Sequence, residues 1–178
     1  MHEKPKKPLV GALLSLTTAA LWGVLPVAIK ELLSVMDAST VVWYRFLVAA
    51  LVIFIWLASR RNLPDLFRAS VRVRWLMLVA ALGLCGNYYL FSLSLNFVNA
   101  ETSEAVIQLT TLFLILGGVF IYGEPFVGMQ KVGTGLILAG LLLFFHDRLE
   151  VLSSVDNAET LGVLIVVVAA ITWTIYAL

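Results

Sequence analysis

The chain has 178 residues, 61% of them hydrophobic and 13% charged, with a formal net charge of +1. Soluble domains are about half apolar and about a quarter charged, so the composition excludes an ordinary water-soluble fold. The near-neutral charge names no partner.

Apolar residues gather in six runs, 9–30, 38–58, 75–97, 102–122, 126–145 and 160–178. Crossing ~30 Å of hydrocarbon takes about 20 helical residues, and open sheet edges are excluded from lipid. The expected fold is an all-α integral membrane protein, a polytopic bundle of six spans with the lipid bilayer as its first partner. Charge enters these runs only at Lys30, Arg45, Glu104 and Lys131, and only Arg45 lies well away from an end.

The first run follows a basic start, "MHEKPKKP". Apolar sequence continues from Leu9 to Ile29, too long for a signal-peptide core, so it is read as an uncleaved helix. Gly11, Ser15, Thr18, Trp22 and Pro26 fall on one helical face. Pro26 removes a backbone bond to Trp22 and is expected to kink the outer end. Two readings stay open for this face: a flexing, cavity-lining helix, or a small-residue packing face. Lys30, at the helix end, is expected to anchor at the interface.

In the second run Arg45 lies roughly 10 Å in by helical rise. An unpaired Arg there costs at least ~2.5 kcal/mol on insertion scales. It either holds an anionic substrate group, or reaches the headgroups or pairs with Asp37 or Glu31. The 59–74 loop carries Arg60, Arg61, Arg68, Arg72 and Arg74, and the N-terminus carries Lys4, Lys6 and Lys7. Basic residues collect on the cytoplasmic side, so both segments are expected there. That bias accounts for the cluster without a nucleic-acid partner. The 146–159 loop, with Arg148 against Asp147, Glu150, Asp156 and Glu159, is expected outside.

The third run places Tyr88, Ser92, Asn96 and Asn99 on one face with Asn87 and Tyr89 beside it. Cys85, the lone cysteine, reads as a small packing residue. The fourth run places Glu104, Gln108, Thr111 and Gly118 on one face. Two such stripes either bond to each other, at roughly 0.6 kcal/mol per bond, or line a wet pathway. Asn87 and Gln108, the deepest, are the foremost substrate-contact candidates, with Trp22, Tyr88 and Thr111. Asn96, Asn99 and Glu104 lie near the outer surface. Glu124, between Gly123 and Pro125, is expected to cap or neutralise the N-terminus of the fifth helix.

No phosphate-binding Gly-rich loop, paired metal ligands or nucleophile–base set occurs, and His2 and His146 lie outside the spans. No enzyme activity, cofactor or metal is expected. No carboxylate lies mid-helix, which argues against proton exchange through a central acid.

Residues 11–22, "GALLSLTTAALW", align with 162–173, "GVLIVVVAAITW", at an offset of 151 that sets Trp22 on Trp173. Trp173 is therefore a cavity candidate too. The segments are offset by five spans, and five is odd, so the second segment crosses in the opposite sense. That is the inverted repeat of many secondary transporters. The chain divides into a five-helix repeat over 9–145, an extracytoplasmic loop over 146–159, and the first helix of a second, inverted repeat over 160–178.

"ALWGVLPVAIK", "YRFLVAALV" and "NYYLFSLSLNFVNAETSEAVIQLTTLFLILGGVFIYGEPFVGMQKVGTGLILAGLLL" resemble the EamA-type repeat of the drug/metabolite transporter superfamily. Glu124, Gln130, Gly133 and Gly140 match its recurring E…Q..G……G pattern. The resemblance implies a ten-helix inner-membrane carrier with cytoplasmic termini and a central cavity. Family members usually carry a Pro in helix 4, where this chain has "LTTLF", so no kink is carried over there.

The function expected is secondary transport of small metabolites by alternating access, with the substrate unnamed. The alternative is a non-transporting membrane scaffold or receptor-like subunit built on the same repeat. The counterpart of residue 145 would fall near residue 296, so the chain is expected to be the N-terminal fragment of an intact chain of about 300 residues. Its partner would be the second half of the transporter or a second copy.

Overall fold

In the computed structural model, residues 8–61, 63–64, 69–146 and 158–178 are described. Lys4, Lys6, Lys7, Arg68 and nearly all of the 146–159 loop lie outside them. Among the described residues, seven helices make six spans: α1 (Pro8–Leu32), α2 (Ala38–Ser59), α3 (Val71–Ser94), α4 (Ala100–Ile107) with α5 (Leu109–Tyr122), α6 (Gly128–Phe145) and α7 (Ala158–Ala177). Each span is long and apolar enough to cross a membrane; the shortest, Gly128–Phe145, has 18 residues, roughly 27 Å of helix.

Local chemistry sets the boundaries. A proline opens α1, where its missing N–H costs nothing. Asp37, Ser70 and Asn99 precede α2, α3 and α4, and each side chain accepts a backbone N–H three residues on. Gly123 ends α5 in the left-handed region at φ 68°, which lets Glu124 N–H reach the carbonyl of Gly118 at 3.1 Å. At α6 the structure departs from the expected cap. Gln130 Oε1 accepts from Val127 N–H at 3.0 Å, while a carboxylate oxygen of Glu124 turns back over Gly118. Glu124 follows the left-handed turn, and that geometry points its side chain to the helix it ends.

Successive spans alternate in direction. One end of the bundle, the base, holds the start of α1 and the α2–α3 and α5–α6 connections. The other, the rim, holds residues 33–37, 95–99 and the start of α7. Ile29, Val41 and Leu95 pack together near the rim, with Leu25, Leu33, Phe91 and Ala100 against them. Most other large apolar side chains are exposed, which suits spans that face hydrocarbon.

The most extensive seam joins α3 to α7, antiparallel, and α7 also packs on α4 and α5. Small residues permit the close approach. A Cβ on Gly83 would lie 3.1 Å from Thr172 O, and one on Gly162 would lie 2.7 Å from Val98 Cγ1 and 2.8 Å from Phe97 Cβ. Val166, Ala169 and Ala170 are fully buried in this seam. Cys85, expected as a packing residue, is exposed instead; Gly83, Gly86 and Asn87 supply the face that meets α7.

Candidate functional site

A cavity of about 320 Å³ opens between α1, α2, α3, α4–α5 and α7. It brings together seven residues singled out in the sequence: Trp22, Arg45, Asn87, Tyr88, Gln108, Thr111 and Trp173. These come from five spans, so no single helix face could have announced the set.

The fourth span positions the polar wall. Its helix is interrupted at Gln108, whose N–H makes a long 3.4 Å bond to Ala105 O. Thr111 N–H then bonds back to Gln108 O at 3.0 Å, a three-residue step. This tight turn occurs without the proline that usually marks this helix in the family the sequence resembles. Gln108 is exposed, its amide making one 3.4 Å contact with Glu104 O. Interrupted helices line cavities in many transporters, where freed polar groups face water or protein.

Asn87 combines the two roles left open for it. It is buried, its Nδ2 donates to Ala169 O at 2.8 Å, and it also lines the cavity. Thr172 Oγ1 donates to the same carbonyl at 2.8 Å.

Arg45 does not pair with Asp37. Asp37 spends its carboxylate on Thr40, at 3.1 Å to the amide and 2.6 Å to the hydroxyl. The guanidinium lies over the Tyr88 ring, 4.6 Å from its centroid, a cation–π contact, and Phe46 packs edge-on against the same ring. Its Nη1 is buried and makes no hydrogen bond.

Trp22 and Trp173 meet edge to face with centroids 6.2 Å apart. Of the α1 face, Pro26 is buried within a helix that runs on to Leu32, while Gly11, Ser15 and Thr18 are exposed. Thr18 Oγ1 is bonded to Leu14 O. Lys30 Nζ donates to Val98 O at 2.7 Å, tying the rim end of α1 to the α3–α4 turn.

Sequence reasoning missed Thr110, Phe91 and the aliphatic wall of Leu25, Ile107 and Leu114. Glu104 was placed near the outer surface; it is half-buried and faces the cavity. Its position four residues before Gln108 was the available signal. Thr110 Oγ1 is buried without a hydrogen-bond partner. Among the described residues, no three His, Cys, Asp or Glu side chains come together as a metal site.

An all-helical bundle with six apolar spans around a polar and aromatic cavity defines a polytopic membrane protein. Residues 9–146 match the EamA-like transporter family, and the chain belongs to that family. It is 39% identical over 173 residues to a protein of Haemophilus influenzae named "Uncharacterized transporter", covering 97% of this chain and 56% of that one. It is 40% identical over 169 residues to "Uncharacterized inner membrane transporter YhbE" of Escherichia coli K12, covering 94% of this chain and 52% of that one. The protein of that name from Shigella flexneri matches to the same extent. The chain thus spans about half the length of these relatives. No solved structure matches.

Proposed function

We propose that the intact protein is a secondary carrier of the inner membrane that moves a small metabolite by alternating access. The cavity carries this reading, because it lies where two repeat-related helices, α1 and α7, meet through Trp22 and Trp173. A site on the seam between inverted halves changes its exposure when one half rocks on the other. At the rim, the Ile29–Val41–Leu95 cluster and the Lys30–Val98 bond close the bundle.

The base is read as cytoplasmic, because Arg60, Arg61, Arg72 and Arg74 lie there. The second five-helix repeat supplies the remaining cavity wall, which the greater length of the relatives supports. The inner membrane follows from the name of the Escherichia coli relative. No catalytic role is assigned to any residue.

The test is solute counterflow in liposomes containing the intact protein. A carrier exchanges external labelled solute for the same unlabelled solute trapped inside, whereas a scaffold or receptor subunit does not. Exchange should appear with at least one member of a panel of amino acids, sugars, nucleosides and organic acids. Silence across the whole panel, from protein that is folded and inserted, overturns the reading.

A further inference from the structure

We propose that the base of the bundle is a docking surface for anionic phospholipid, with Arg60, Arg61, Arg72 and Arg74 taking the headgroup phosphate. This surface lies outside the cavity and stands whether or not the protein is a carrier.

The four arginines close α2 and open α3, two helices that pack on each other. All four are exposed, and none of their guanidinium groups has a hydrogen-bond or ion-pair partner among the described residues. The described residues put one carboxylate at this end of the bundle, Glu124, and it turns back over Gly118. Arg60 adjoins Arg61, and Arg72 is two residues from Arg74, so each pair lies inside the ~8 Å reach of charge at physiological salt. The counter-charge that relieves this repulsion has to come from outside the bundle.

The two pairs differ in what their own helices offer them. Arg60 and Arg61 follow the C-terminus of α2, where cations are favoured, and the Arg60 guanidinium lies 5.8 Å from the centre of the Trp56 ring. Arg72 and Arg74 lie at the start of α3, whose first turn holds no acidic residue. A helix N-terminus favours anions and disfavours cations. Sidedness asks only that arginines stand on this side of the membrane; it does not ask for two of them in the turn where the helix field opposes them. An anion held by these side chains offsets both that field and their mutual repulsion.

Depth and chemistry select the anion. Trp56 on α2 and Trp75 on α3 are exposed, and tryptophans on the outside of a span sit at headgroup level. Leu63, between the two arginine pairs, is exposed as well. A phosphodiester at this depth meets guanidinium groups, which grip phosphate through parallel bonds, while its acyl chains lie along the tryptophans. A zwitterionic lipid brings its own cation and answers the arginines less well. Basic clusters just beyond a span draw anionic lipid in this way.

The test counts lipids bound to the intact protein in detergent by native mass spectrometry, where sidedness plays no part. Phosphatidylglycerol should bind more tightly than phosphatidylcholine of the same chains. That preference should fall about fivefold in Arg72→Gln and in Arg74→Gln, the share of one basic residue near an anionic surface, and further in the double variant. Replacing both by Lys should keep most of it, since the charge remains.

Thermal unfolding in nanodiscs separates binding from folding. In phosphatidylcholine the double Gln variant should melt no lower than the parent, because the helix field no longer opposes these side chains. Adding phosphatidylglycerol should raise the melting temperature of the parent by a few degrees, by mass action, and that of the variant by less. Equal affinity for the two lipids, or undiminished phosphatidylglycerol binding in the double Gln variant, would overturn the proposal. So would a variant that melts lower in phosphatidylcholine, which would mean that the arginines find their partners within the protein. Competition by glycerol phosphate at the same concentration as the lipid would replace the lipid with a soluble anion and overturn it too.

Discussion

Trp22 of α1 and Trp173 of α7 stack edge to face with centroids 6.2 Å apart, and they hold matching positions in segments aligned at an offset of 151. Residues on a two-fold axis meet their own equivalents, as at any isologous contact. The contact is what a pseudo-two-fold axis between inverted repeats would produce. Trp173 also lies against Tyr176, at 5.3 Å, so the pair is anchored on the α7 side.

If this pair couples the two helices, Trp22→Ala and Trp173→Ala should not be additive. Aromatic pairs contribute about 0.5–1.5 kcal/mol beyond their buried area. The double variant should therefore be less destabilised than the sum of the singles by that amount. Thermal denaturation of all four proteins in one detergent measures the coupling, and strict additivity would remove it.

The seam between α3 and α7 predicts a contrast between two glycines of the repeat. Gly162→Ala puts a methyl group 2.7 Å from Val98 Cγ1, so either the 97–98 turn or α7 must shift. Overpacking of this kind costs about 1–3 kcal/mol. Gly11, which aligns with it at the offset of 151, has nothing within 4 Å of an added Cβ, and in this chain Gly11→Ala should leave stability unchanged or raise it by up to about 1 kcal/mol, the helix-propensity gain of Ala over Gly. Unfolding temperatures of the two variants settle the comparison; an unaffected Gly162→Ala would contradict the packing.

Orientation is checked by labelling single cysteines in a Cys85→Ser background. Ser70 is at the base and Ser34 at the rim. In intact cells an impermeant thiol reagent should modify Ser34→Cys and spare Ser70→Cys until the membrane is opened. The opposite pattern would put the base outside.

Asp37 carries a small pH dependence. Its bonds to the Thr40 hydroxyl and amide hold its carboxyl below the ordinary value of 3.8. A depressed folded value means that the cap's contribution is complete above pH 3.8 and is lost as the pH falls through the folded value. Asp37→Asn should flatten that part of the acid unfolding curve, and an unchanged profile would show that the cap is not coupled to folding. The group is exposed, so the effect is small.

The spans were legible because lipid selects on average hydropathy over about 20 residues, a property of local composition. The helix stop at Gly123 was legible because its backbone takes the left-handed conformation that glycine favours. The cap at α6 was misread, since Gln130 rather than Glu124 meets Val127. The interruption at Gln108 was not legible, since no proline or glycine marks it.

The sequence alone carries the six apolar spans and the alignment that sets Trp22 opposite Trp173, because both follow from order and spacing along one chain. It also named most of the cavity's polar residues. Only the tertiary structure decided which of them act together. Helical phase says which residues share a face, but not which face another helix covers. The α3–α7 seam, closed by Gly83, Gly162 and the Asn87–Ala169 bond, sets that phase for α7 and turns Trp173 onto Trp22. It brings Glu104 to the cavity that Arg45 also lines, although 59 positions separate these two residues in the chain. The same packing holds Arg45 beneath Tyr88 with one buried N–H unanswered, a feature of neighbours from different helices that no local pattern records.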